Sequence, residues 1–163
     1  MVGSFDFVVS TKIDRPTADR PHFFIAYGTK SRDGLKAFRE TEYNALKLNA
    51  RDRARAKERK RESKSGSADL FSGLDADVQE TTIDEIVREQ KALASHDLLN
   101  ILREVGPIRF SEVWEIILQA YMLRVTNVKD ICVDLARIGN IDNTWGGGTR
   151  KPRDEDIIRL KFS

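Results

Sequence analysis

Cysteine is almost missing from this chain: Cys132 stands alone among 163 residues, which excludes an intramolecular disulfide and any cysteine-rich zinc site. Histidine is nearly as scarce, with only His22 and His96, so a metal centre would have few nitrogen ligands and none is expected. No run of 18 apolar residues occurs, and the opening Met1-Val-Gly-Ser-Phe-Asp has neither a basic nor a long apolar stretch. Membrane spanning and secretion are therefore not expected, and the expected location is cytoplasmic. Nucleotide fingerprints are missing too: the one glycine run, Gly146-Gly-Gly, does not lie between a strand and a helix it could open. No cofactor and no small-molecule ligand is predicted.

Charge is present in quantity but unevenly placed. Residues 1–64 carry 16 Lys/Arg against 9 Asp/Glu, residues 65–81 carry none against 4, and residues 82–163 carry 12 against 13. The overall +2 thus conceals a basic first part, an acidic link and a neutral last part. These divisions match changes in pattern and predict three segments: an α/β unit with a basic helical extension (1–64), an acidic linker (65–81) and a second folded unit (82–163).

In the first segment Phe5-Asp-Phe-Val-Val-Ser-Thr and His22-Phe-Phe-Ile-Ala-Tyr-Gly read as strands bounded by turn formers. The connection from Lys12 to Pro21 is long for a tight hairpin, so their pairing stays open. After Ser31-Arg-Asp-Gly, the spacing of Leu35, Phe38, Tyr43, Leu46 and Ala50 predicts a helix with Lys36, Arg39, Glu40 and Lys47 in water. From Arg51 to Lys64 the apolar stripe ends and eight Lys/Arg face three Asp/Glu, giving a solvated helical extension or a disordered basic segment. Arg51, Arg53, Arg55, Lys57, Arg59, Lys60 and Arg61 could hold a phosphate backbone, or simply form a solvated face balanced by nearby acids. No aromatic residue lies among them to stack on bases.

The last segment reads as helix, short strand, helix, helix, strand, loop, strand. Thr81 and Thr82 are candidate caps for a first helix whose apolar positions run from Ile83 to Val105, stopped by Gly106-Pro107. Ile108-Arg-Phe is a short extended piece, and Ser111 is a candidate cap for a second helix bearing Val113, Trp114, Ile117, Leu118 and Tyr121. Thr126 is the candidate cap of a third, with Val128, Ile131, Cys132, Leu135 and Ile138 on one face and Gly139 just past its end. Asn140 to Trp145 and Asp156 to Phe162 read as strands around a basic loop. This order is that of a winged helix-turn-helix domain, so the fold class is α+β: a short α/β unit followed by a C-terminal winged helix.

A DNA-binding use of that domain would place Thr126, Asn127, Lys129, Asp130 and Arg137 on the third helix, and Thr149, Arg150, Lys151 and Arg153 on the loop, against the duplex. Phosphate affinity needs positive charge, and on the third helix Asp130 and Asp134 offset Lys129 and Arg137. The other reading makes that helix a packing element. No catalytic residue is expected: His22 and His96 lack a nucleophile context, Cys132 sits on an apolar face, and Trp114 and Trp145 read as core.

The strand His22-Phe-Phe-Ile-Ala-Tyr-Gly-Thr followed by Ser31-Arg-Asp-Gly-Leu-Lys-Ala-Phe resembles the late segment of the three-Cys-motif partner proteins, TcmP, which also end in a winged helix. Phe38 and Tyr43 stand where methionines are usual in that family. The resemblance implies a bacterial setting among mobile-element or conflict genes and a radical-enzyme-like three-Cys-motif protein as partner. It also implies a methyltransferase-like domain that these residues do not contain, so the chain would be a fragment, a split product or a degenerate relative. The function expected is an interaction module that docks a protein partner or a second copy, with DNA binding through the third helix and loop as the alternative.

Overall fold

Two runs of β-branched and aromatic residues pair at the start of the chain. The computed structural model describes residues 4–15, 18–65, 74–146 and 150–161. In it β1 (Phe7–Arg15) and β2 (Ala18–Thr29) form an antiparallel hairpin, with Val9 opposite Tyr27 and Ile13 opposite Phe23. Both strands run on into the stretch expected to connect them, of which residues 16–17 lie outside the described ones. Pro21 is accommodated where the register shifts beside Asp14, the kind of irregularity at which a residue without an N–H costs the ladder little.

Thr29 and Ser31 turn the chain into α1 (Arg32–Ser65): the Ser31 hydroxyl accepts the Gly34 N–H at 3.3 Å and the Ser31 carbonyl accepts that of Leu35. The helix carries on through the basic segment, as its helix-forming residues favour, for 34 residues in all. Its last described residue is Ser65. The next helix, α2 (Leu74–Val105), begins eight residues before Thr82. Thr81 and Thr82 are therefore inside it rather than capping it, because Asp-Ala-Asp-Val-Gln-Glu ahead of them contains no breaker. The proposed linker's residues 66–73 lie outside the described residues.

The chain then forms β3 (Ile108–Arg109), α3 (Phe110–Ala120), α4 (Val125–Arg137) and β4 (Ile157–Ile158). The class is α+β, with four helices and two two-stranded sheets among the described residues. β4 pairs antiparallel with β3, and Leu160 makes a single bridge to Ile141. Only that bridge remains of the strand expected at Asn140–Trp145. Neither expected cap starts its helix. α3 opens at Phe110, with the Phe110 and Ser111 amides donating to the Asp156 and Asp154 carbonyls, so Ser111 is buried inside it. α4 opens at Val125, and Asn127 rather than Thr126 closes its cap, its side-chain oxygen accepting the Arg124 N–H at 2.9 Å.

One core joins these elements. Phe7 and Val9 from β1 and Leu35 from α1 meet Val87, Ala94, Leu98 and Leu102 of α2, Phe110, Trp114 and Ile117 of α3, and Val128, Ile131 and Leu135 of α4. On α2 the buried seam is narrower than the sequence stripe: Leu93 and Val105 are exposed, as is Ile138 just beyond α4. Arg39, expected in water, is buried.

Gly139 ends α4 with φ +82, its N–H donating to the Ala136 carbonyl while that of Asn140 donates to Leu135. This pair of bonds closes the last turn only if Gly139 is left-handed. Nothing lies within 4 Å of a Cβ added there, so Gly139→Ala meets no clash and its cost isolates the backbone. The expected loss is about 1–2 kcal/mol, read from the urea midpoint at unchanged slope.

Candidate interaction surface

Alternation along the hairpin decides which side chains meet the body. Phe7, Val9, Thr11 and Ile13, with their partners Phe23, Ile25 and Tyr27, share one face; Val8, Ser10 and Lys12, with Phe24, Ala26 and Gly28, share the other. The first face packs on α1 and α3 only near the base: Phe7 and Val9 are buried, and Tyr27 stacks on Phe38 at 4.9 Å with 9° between the rings. Farther out the same face leaves the body, and Phe23 and Ile25 are 47% and 42% exposed. On the opposite face Val8 and Phe24 are 60% and 69% exposed. Phe5 lies across Gly28 so closely that a Cβ there would stand 2.6 Å from its ring. The result is an arm with apolar groups in water on both faces. Sequence reasoning read Phe23-Phe24-Ile25 as a strand but missed this arm. The signal was the lack of alternation, since three consecutive apolar residues in a strand supply both faces.

Charge fastens α1 to α3 and to the start of α4. Arg39 donates from Nε to the Leu118 carbonyl at 2.7 Å, from Nη1 to Glu42 Oε2 at 2.7 Å and from Nη2 to the Gln119 carbonyl at 3.4 Å. Two orphan carbonyls at the end of α3 are thus satisfied by a cation on α1. Arg32 pairs with Glu115 at 2.6 Å, and burial pushes the Glu115 carboxyl above its usual range. Arg124 lies 4.0 Å over the Tyr43 ring and pairs with Glu40. Burial, then the hydrogen bond to Asp84, raises the Tyr43 hydroxyl. A hydrogen bond to Asp97, then burial, does the same for Tyr121.

The residues named for nucleic acid are scattered in their use. Thr126 is exposed, but Asn127 is 9% exposed and engaged in the helix cap. Lys129 lies over the Phe110 ring at 5.7 Å, and Arg137 pairs with Asp134 at 3.0 Å. Asp130 takes Lys151 at 2.5 Å and Lys91 at 3.9 Å. Arg150 and Arg153 are exposed and, among the described residues, their side chains have no ion-pair partner; they line an open cleft of about 540 Å³ with Trp145, Glu155 and Asp156. The Arg150 carbonyl accepts the Trp145 indole N–H at 2.9 Å. Thr149 lies outside the described residues.

In the basic segment Arg51, Arg55 and Arg59 are exposed and Arg53 is half-buried. The side chains of Lys57, Lys60 and Arg61 lie outside the described ones. Trp114 and Trp145 are buried in the core. Cys132 is fully buried, its thiol pushed up to about 12 by desolvation. Among the described residues no group of three or more His, Cys, Asp or Glu is placed to hold a metal ion, and no helix is long and apolar enough to cross a membrane. Comparison with protein-family models, with curated proteins and with solved structures finds no match to this chain.

Proposed function

We propose that the chain is an interaction module in which a winged helix-turn-helix, residues 82–163, serves as a packed base for the β1–β2 arm, and the arm docks on protein. The exposed apolar groups on both faces of the arm carry this reading. A two-stranded hairpin is at best marginal alone, and groups such as Phe24 gain free energy when a partner removes them from water. The winged-helix part of the reading is supported by element order, by the pairing of β4 with β3 and by the Leu160 bridge to Ile141 just beyond β4. The resemblance to TcmP fits the same use, with a three-Cys-motif protein as a candidate partner in a bacterial cytoplasm.

DNA binding is the second reading, favoured by Arg150 and Arg153 beside the cleft, exposed and without an ion-pair partner among the described residues. The ties of Lys151 to Asp130 and of Arg137 to Asp134 weaken it, because phosphate contact must first compete with those carboxylates. Duplex DNA anisotropy across a salt series separates the two. The interaction reading expects no salt-sensitive binding at micromolar protein. A slope of log affinity against log salt of about −3 to −5, removed by replacing Arg150, Lys151 and Arg153 together, would overturn it in favour of DNA.

A further inference from the structure

We infer that the occupant of the arm is a second copy of this chain, bound arm to arm about a twofold axis; this rests on the interaction reading above and names its partner. Three observations carry it. The first is area. Phe5, Phe23 and Phe24 are 56%, 47% and 69% exposed, which at roughly 200 Å² for a whole phenylalanine leaves about 350 Å² of aromatic surface in water. Val8, Ile25 and Ala26 bring the arm to about 500 Å² per copy over its two faces, the size of the largest apolar patch usual on a whole monomer and often a functional one.

The second is charge. On the face of Val8, Ser10, Lys12, Phe24, Ala26 and Gly28, Lys12 is the one ionic residue. Edge to edge, two such faces join side by side without the like-charge opposition that would set a strongly basic or acidic surface against itself. The third is the backbone. β1 and β2 pair only with each other among the described residues, so each leaves one edge of N–H and C=O groups open. From Phe7 to Thr11 the β1 edge has neither the proline nor the charge with which edges are commonly blunted. An antiparallel edge is its own complement under a twofold rotation, so it can pair with the same segment of another copy and with no special partner sequence. Pairing of this kind converts two marginal hairpins into one four-stranded sheet.

Light scattering after size separation tests this on the full chain. The expected mass is twice that of one chain at about 100 µM, falling towards one chain on dilution. Phe24→Glu and Val8→Glu, at exposed positions, are expected to weaken association about 30-fold or more with the far-ultraviolet circular dichroism unchanged. Ile138→Glu, equally exposed but outside the arm, is expected to leave the mass at two chains. Hydrogen exchange of the unaltered protein gives a reading free of substitution: the Phe7–Thr11 amides are expected to slow as concentration rises. A single-chain mass throughout, or a double mass indifferent to both arm substitutions, overturns the inference. The broader interaction reading fails separately, on salt-dependent DNA binding.

Discussion

Arg39→Ala is expected to cost about 3–5 kcal/mol of folding stability, a large share of the roughly 5–15 kcal/mol that holds a domain together. Its side chain is only 4% exposed and is the shared partner of Glu42 and of the Leu118 and Gln119 carbonyls. Removing it strands a buried carboxylate, 2% exposed, and returns two carbonyls at the end of α3 to an unsatisfied state. The penalty comes from what is left behind more than from the attraction lost. The double change Arg39→Met with Glu42→Leu is therefore expected to be milder than Arg39→Ala alone, since it buries neither charge. Urea unfolding of the three proteins checks the order; a single variant no less stable than the double one contradicts the argument.

Trp114→Ala is expected to be comparably severe, about 3–5 kcal/mol, through the cavity it opens. The indole is 1% exposed at the centre of α3, its N–H donating to Asp154 Oδ1 at 3.1 Å and its ring lying 4.4 Å beneath the Lys36 ammonium. One side chain thus bridges α3, α1 and the segment leading into β4. A fall in melting temperature of about 10 °C or more is expected by circular dichroism. Trp114→Phe keeps an aromatic ring but not the donor, and is expected to recover more than half of the loss. If Phe is no better than Ala, the hydrogen bond to Asp154 outweighs the packing and the cavity argument fails.

Both residues show where the sequence could be read and where it could not. Trp114 sits in a strong amphipathic pattern between Val113 and Ile117, and its burial followed from periodicity. Arg39 read as wet for the same reason: periodicity assigns charge to the water side and cannot see that α3 ends its carbonyls against that spot. The caps failed alike. Ser111 and Thr126 are good cap residues by type, yet carbonyls of residues 154 and 156, more than 40 positions away, already hold the α3 amides, and Asn127 reaches back to Arg124. Gly139, by contrast, was legible because a left-handed residue is a local demand. The arm was half legible: its strands showed in composition, but how far along them α1 and α3 pack is a matter of tertiary contact.

Cys132 gives the fold a clock of its own. Fully buried between α4 and the rest of the core, and with desolvation pushing its thiol up to about 12, it offers an alkylating reagent almost no thiolate and no access while the body is closed. Every labelling event therefore waits on an opening of the core, and the labelling rate counts such openings without any residue being changed. Because Phe23, Phe24 and Ile25 are exposed and lie outside the buried cluster that holds the thiol, events at those residues that do not loosen the core leave the clock's pace alone. Events at Arg39 or Trp114, which hold the core shut, quicken it.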